Sequence, residues 1–437
     1  MPRDKTSWNA DDLVRRVCRA LSIAEQSISR LLPAGYTDAA DPALNVRPEK
    51  IVAETAFLLV AASCAADHAE LRQRIDRVAA LLAPHARSEK MFAAACVEPA
   101  LFLDYAQAHV CLTRVGHGDP HFDALLRRAL QHAHHARRER APHRALEQRW
   151  IAESWRNCAG GALPRAPLAP AQSALDWSVD LVSASREDIY AFTHALMYLA
   201  DFSLQPRWRR RERTRITADA ETALARCLDE EDYDLAGEVL LAWPLTGCRW
   251  SPQATFGFGV LARVEDQAGF LPNASTRVER LGALQGSART AYALATAYHT
   301  AYVMGLLCAA ALRPGRAPPV QIAASASRRG AARALLERLA ADHCQAHWLP
   351  ELERLDAAQI ESLAPLLLAV ALRRRGRERA YDAIRDLLSL ASTHRLHDLP
   401  CAQQAARMLE RLSCFAQLGA PREARTGGLR HALAEGF

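Results

Sequence analysis

Lysine is almost absent from this chain of 437 residues: it occurs at Lys5, Lys50 and Lys90, so 52 of the 55 cationic side chains are arginine. Alanine, arginine and leucine richness with so little lysine points to a high-GC bacterium. The net charge of +6 is too dilute to argue for a nucleic-acid partner. The basic runs Arg207–Arg215, Arg137–Arg149 and Arg373–Arg379 mix in Glu or sit beside expected loops, so they read as solvated helix ends. Cysteine pairing is also missing. Eleven cysteines occur without one CxxC pair, which argues against a zinc ribbon or a thioredoxin-like site. Cys18, Cys64, Cys96, Cys111, Cys227 and Cys308 lie in apolar runs, where cysteine acts as a small hydrophobe. The segment Met1–Asp12 has no apolar signal core, and Tyr298, His299 and Thr300 interrupt the most apolar stretch, Ala291–Leu312. The expectation is a reduced, cytoplasmic protein with no membrane partner. The motifs HExxH, GxSxG, GxxxxGK[ST], GxGxxG, CxxCH and Glu-x-x-His are absent, which sets aside common metalloproteases, serine hydrolases, P-loop NTPases, Rossmann dehydrogenases, c-type cytochromes and ferritin-like bundles.

What is present is helical periodicity. Half the residues are hydrophobic, so the chain can bury a sizeable core. Good helix formers dominate and β-strand alternation is rare. The pattern predicts helices at about 9–31, 49–66, 69–84, 88–114, 120–138, 144–158, 186–202, 214–229, 233–243, 285–311, 325–341, 357–375, 377–394, 399–417 and 421–434. The expected fold is all-α: stacked antiparallel α-hairpins closed as an α/α toroid or open as a superhelical array. The Pro/Gly-rich segment 159–173 reads as a linker between an N-terminal helical array, 1–158, and a C-terminal helical, toroid-like region, 174–437, the two packed as one unit. Residues 246–277, rich in Gly and aromatics, read as an irregular connection or a binding loop.

Two short segments resemble known patterns. Glu265-Asp266-Gln267-Ala268-Gly269-Phe270-Leu271-Pro272 looks like the D-G-G-F turn between helices in α/α toroids of the terpenoid-cyclase and prenyltransferase class, and a helix carrying Tyr298-His299-Thr300 follows. The likeness covers some fifty residues and implies a toroid. It does not bring that class's chemistry, because the DxDD acid motif and the Asp/Cys/His zinc set are missing. Thr193-His194-Ala195-Leu196-Met197-Tyr198-Leu199-Ala200-Asp201-Phe202 is similar to a TH-x-x-x-Y-x-x-D-F signature of an uncharacterised family of helical bacterial proteins.

Polar residues on apolar helix faces carry the functional expectation, since residues i, i+4, i+7 and i+11 share a face. Glu98, Phe102, Tyr105 and His109 form one stripe, and Glu187, Tyr190, His194, Tyr198 and Asp201 form another. Tyr292 and His299 share a face with Tyr298 and Tyr302 at its edges, and Glu54 sits in the apolar run 51–59. A carboxylate there is costly to bury unless paired or protonated. Four helices can therefore deliver ionisable groups to one interior. Two chemistries fit. Acid–base catalysis would use His194, His299, Glu98, Tyr105 and Tyr198. A divalent iron, manganese or zinc ion would be held by His194, His299, His109, Glu54, Glu98 and Asp201. Each residue also has a plain structural reading, as a hydrogen-bonded core histidine, an Arg-paired carboxylate, a helix cap or a core tyrosine. His343 and His347, spaced i, i+4, form a lesser metal candidate, and His132, His134, His135 and His143 read as a solvated face. The expectation is an enzyme of specialised metabolism acting on a small polar or anionic molecule. The alternative is a helical-repeat binding or scaffold protein with a protein partner.

Overall fold

The computed structural model describes residues 7–32, 35, 46–65, 67–130, 139–159, 173–201, 210–324, 330–340 and 348–419. Among them the chain is all-α. The helices are α1 (Ala10–Ser29), α2 (Pro48–Ser63), α3 (Ala69–Ala86), α4 (Glu89–Val97), α5 (Phe102–Arg114), α6 (Pro120–Leu130), α7 (Pro142–Ala159), α8 (Arg186–Ala200), α9 (Arg210–Asp229) and α10 (Tyr233–Leu240). They continue as α11 (Ala242–Thr246), α12 (Pro252–Ala268), α13 (Val278–Ala283), α14 (Gly286–Ala311), α15 (Ala331–Ala340), α16 (Leu349–Leu352), α17 (Ala357–Ser362), α18 (Ala364–Arg377), α19 (Tyr381–Thr393) and α20 (Pro400–Gly419).

Helix starts follow local chemistry. The Asn9 side chain accepts from the Asp12 N–H at 2.7 Å and opens α1. Ser185 and Asp188 make a reciprocal capping box at α8, and Asp356 and Gln359 make another at α17. Ser251 caps α12, with Pro252 at the first helical position, where its missing N–H costs nothing.

The chain forms two compact units, and their boundary corrects the expected division. One contains 1–179 and 185–322; the other contains 180–184 and 323–437. The 159–173 segment does not separate them, because α7 and α8 on either side of it pack together in the first unit. Residues 160–172 themselves lie outside the described residues, as do the histidines at 132, 134, 135, 343 and 347 and the helix expected at 421–434.

In the first unit α14 is the central helix. It is 26 residues long and apolar enough to cross a membrane by composition, yet 89% of its apolar window is buried by other helices. It packs on α1, α2 and α10. Two glycines allow this. A Cβ on Gly305 would lie 2.5 Å from the Ala20 Cβ of α1, and one on Gly237 of α10 would lie 2.6 Å from Val303 of α14. Further adjacencies run α2–α5, α5–α7, α7–α8 and α8–α10, so α2, α5, α7, α8, α10 and α14 form a closed cycle of neighbours. In the second unit α18 packs against α15, α19 and α20, and Gln404 of α20 accepts from the Leu181 N–H at 2.8 Å.

Two sequence expectations change here. The helix predicted over 88–114 is broken: α4 ends at Val97, a 3₁₀ turn spans Pro99–Leu101, and α5 begins at Phe102. Pro99 lacks an N–H and its ring crowds the preceding turn, which favours a break at that point. The segment 246–277 is not an irregular loop, since most of it is α12. Trp250, Phe256 and Phe258 are buried, and Phe258 lies edge-on to Trp8 and Trp250 at 5.2 and 5.9 Å.

Candidate functional site

Four helices of the first unit bring ionisable groups together. His299 of α14 lies at the centre. Its Nδ1 is 3.2 Å from Glu54 Oε2 of α2, and its Nε2 is 3.4 Å from Asp234 Oδ1 and 3.7 Å from Glu238 Oε1 of α10. Asp234 and Glu238 are one helical turn apart, so both face the same neighbour. The other Glu238 oxygen, Oε2, lies 3.6 Å from His194 Nδ1 of α8. Both imidazoles thus meet the two oxygens of one carboxylate, and that carboxylate is only 2% exposed.

Neutral hydroxyls complete the cluster. Thr193 donates to Glu238 Oε2 at 2.5 Å, and Tyr298 donates to Glu54 Oε2 at 2.7 Å. The Thr300 hydroxyl is 3.4 Å from Asp234 Oδ1. Exposed cations hold the outer oxygens: Arg186 Nη2 is 3.2 Å from Asp234 and Lys50 Nζ is 3.6 Å from Glu54. Glu54 and His299 are each 23% exposed, so the cluster reaches solvent at that edge.

The environments drive the two histidines apart. Burial alone would lower the His299 pKa, but the charges of Asp234 and Glu54 outweigh it and raise it well above the ordinary value. Its Nδ1 nevertheless lacks a hydrogen bond of proper alignment, so the contact with Glu54 is an ion pair rather than a directed bond. Burial likewise works against ionised Glu54, yet the imidazolium, Lys50 and Tyr298 hold its pKa at about 2. At His194 burial wins. Glu238 offsets it only in part, while Arg144, His299 and His143 add to it, and the pKa falls to about 4. The neutral ring donates from Nδ1 to the Tyr190 carbonyl at 3.0 Å, which leaves the lone pair on Nε2. Tyr190 also stacks on His194, with ring centroids 3.7 Å apart. The surroundings therefore favour an imidazolium at His299 and a neutral imidazole at His194, on either side of Glu238.

A second polar chain runs alongside. Tyr198 donates to Glu147 Oε1 at 2.6 Å, and Arg144 pairs with Glu147 Oε2 at 2.7 Å. The Tyr198 ring is 6.1 Å from His194. His143, expected on a solvated face, packs 5.6 Å from Tyr190 and 6.1 Å from His194.

The sequence-predicted set divides. His194, His299 and Glu54 come together, with Tyr198 beside them. Glu98, Tyr105, His109 and Asp201 do not join them. Tyr105 donates to Glu98 at 3.0 Å at the exposed α4–α5 junction, because the break at Pro99 moves Glu98 off the expected stripe. His109 is fully buried elsewhere: Asp123 lies 3.0 Å from its Nε2, and Arg87 donates to its Nδ1 at 3.0 Å. Asp201 ends α8 in the left-handed conformation, φ 54°, which takes it out of helical register. Its carboxylate accepts from Arg114 at 2.6 Å and from Trp150 at 2.5 Å. The six-residue metal shell is thus corrected. Among the described residues no group of three or more His, Cys, Asp or Glu side chains is placed to hold a metal ion. Asp234 and Glu238 were missed in the sequence, although Glu238, a carboxylate in the run Leu235–Leu241, carried the same signal as Glu54.

A cleft of about 440 Å³ lies away from this cluster, lined by Asp11, Arg15, Arg19, Glu70 and Arg74 among others. Its guanidinium groups are already engaged, Arg15 and Arg19 with Asp266 and Arg74 with Glu70.

No curated protein and no solved structure matches the chain. A family model described as a domain of unknown function, DUF6895, matches residues 17–309, about two thirds of the sequence. That span contains Glu54, His194, Asp234, Glu238 and His299, and by it the chain belongs to the DUF6895 family.

Proposed function

We propose that the protein is an enzyme that transfers protons on a small polar molecule, with His299 and His194 as its acid–base pair. One observation supports this above the others: two imidazoles share a single buried carboxylate, and their surroundings push their pKa values in opposite directions. Titratable groups pushed apart by their surroundings are how a site keeps a proton donor and an acceptor ready at one pH. In this reading His299 gives up and recovers the proton. Glu54, Asp234 and Glu238 set its basicity, and His194 Nε2 is the standing acceptor.

A non-catalytic scaffold is the second reading. In its favour, the ion pairs tie α2, α8, α10 and α14 together and satisfy one another. The two readings part in one experiment. The wild type, His299→Gln and His194→Gln are incubated with a pool of small polar metabolites, consumption is followed by mass spectrometry, and melting temperatures are recorded. The enzyme reading expects one compound to be consumed by the wild type and not by His299→Gln at a similar melting temperature. Consumption by His299→Gln at the wild-type rate sinks it. No consumption by any form, together with a large loss of stability in both variants, supports the scaffold.

A further inference from the structure

The cleft of about 440 Å³ between α1 and α3 carries charge of both signs. Asp11, Arg15 and Arg19 share one face of α1 at i, i+4 and i+8, and Glu70 and Arg74 come from α3. The Cys18 thiol faces both α3 residues, which sets the two walls against each other. The pairing inside the cleft is incomplete. An acid four residues before an arginine ordinarily pairs with it on a helix. Arg15 instead reaches Asp266 of α12 at 3.2 Å, and exposed Asp11 has no ion pair among the described residues. Glu265 and Asp266 together meet Arg15, Arg16 and Arg19, two negative charges against three positive ones. Glu70 and Arg74 balance each other at 3.3 Å. One positive and one negative charge are thus left over. Donors are left over too. Arg15 and Arg19 bond oxygen only through Nη1 and Arg74 only through Nε, although each guanidinium carries five N–H groups.

We propose that this cleft binds a small amino-carboxylate zwitterion, its ammonium on Asp11 and its carboxylate on the open N–H groups of Arg15, Arg19 and Arg74. A lone anion would leave Asp11 unpaired and meet repulsion from Glu70, and a lone cation would meet three guanidinium groups. A molecule with both charges answers both surpluses. The planar N–H fork of arginine matches a carboxylate, and the cleft's volume lies in the range of small-molecule sites. Val14 and Cys18, both buried, give the carbon chain an apolar wall. The site is independent of the His299 cluster, with which it shares no lining residue.

The whole chain is titrated calorimetrically with L-norleucine, 4-aminobutanoate and 6-aminohexanoate, which carry both charges at different separations. Hexanoate and hexylammonium, with one charge each, are the controls. At least one zwitterion should bind, and at least about tenfold more tightly than either control, the worth of one charge-assisted hydrogen bond. Asp11→Asn changes an exposed side chain and should weaken that binding about tenfold at an unchanged melting temperature. Arg74→Gln, on the opposite wall, should weaken it as well. His299→Gln should bind as the wild type does. Three silent zwitterions, a control that binds as tightly as the best of them, or full affinity in both Asp11→Asn and Arg74→Gln overturns the proposal. Binding that is lost in His299→Gln and kept in Asp11→Asn places the ligand in the histidine cluster and overturns it too.

Discussion

Replacing Glu54 by Gln isolates the electrostatic core of the cluster. In the folded protein the Glu54 pKa is about 2, against an ordinary 4.5. At 1.36 kcal/mol per pKa unit, that gap corresponds to about 3 kcal/mol of stability. The side chain is 23% exposed, so solvent screening trims the figure to about 2 kcal/mol. The sign follows from the direction. A carboxyl with a depressed folded pKa stabilises fully above its unfolded value and loses that contribution as pH falls from about 4.5 towards about 2. Glu54→Gln should therefore cost about 2 kcal/mol at pH 7, with the deficit shrinking below pH 5. Urea unfolding followed by circular dichroism between pH 7 and pH 4 measures it. A variant as stable as the wild type at pH 7, or a deficit that ignores pH, refutes the pairing of Glu54 with a protonated His299.

Two more predictions concern groups outside the cluster. Arg16 is fully buried against Glu265, donates to the Ala262 carbonyl at 3.1 Å and lies over Trp8 at 5.3 Å. Arg16→Met leaves buried Glu265 only Arg19, at 3.5 Å, and should cost about 3 kcal/mol in urea unfolding, while Arg16→Met with Glu265→Leu should recover most of it. Asp219 is raised to about 6, mainly by burial, and accepts from the Val179 N–H at 3.1 Å. Because this acid is harder to ionise in the folded state, it loses stability as pH rises from about 4 to about 6. Asp219→Asn keeps the acceptor and should add about 2 kcal/mol at pH 7 and little at pH 4; equal effects at both pH values contradict the assignment.

Helical periodicity carried much of this architecture. The segments expected at 49–66, 186–202 and 285–311 correspond to α2, α8 and α14, and this is why Glu54, His194 and His299 were identifiable from spacing alone. Spacing along one helix says nothing about which helix lies opposite. His109 shows the same apolar-face signal as His194, but Asp123 of α6 and Arg87 claim it. Single-residue backbone events were equally decisive. Pro99 splits one stripe and the left-handed Asp201 ends another. Glycine misled in the opposite direction. Gly257 suggests a loop in the sequence, yet it lies inside α12, where a Cβ would come within 3.1 Å of Leu224. Asp234 stands in the first turn of α10, where an acid ordinarily serves the helix dipole, so its sequence position masks its place beside His299.

The protonation states of two rings test the central claim most directly. Long-range proton–nitrogen NMR can resolve the imidazoles among 16 histidines, with His194→Gln and His299→Gln providing the assignments. At pH 7 His299 should give the pattern of a charged imidazolium, and His194 should stay neutral, with its proton on Nδ1, down to about pH 4. Two rings that both titrate near 6.5, the free-histidine value, would contradict the account.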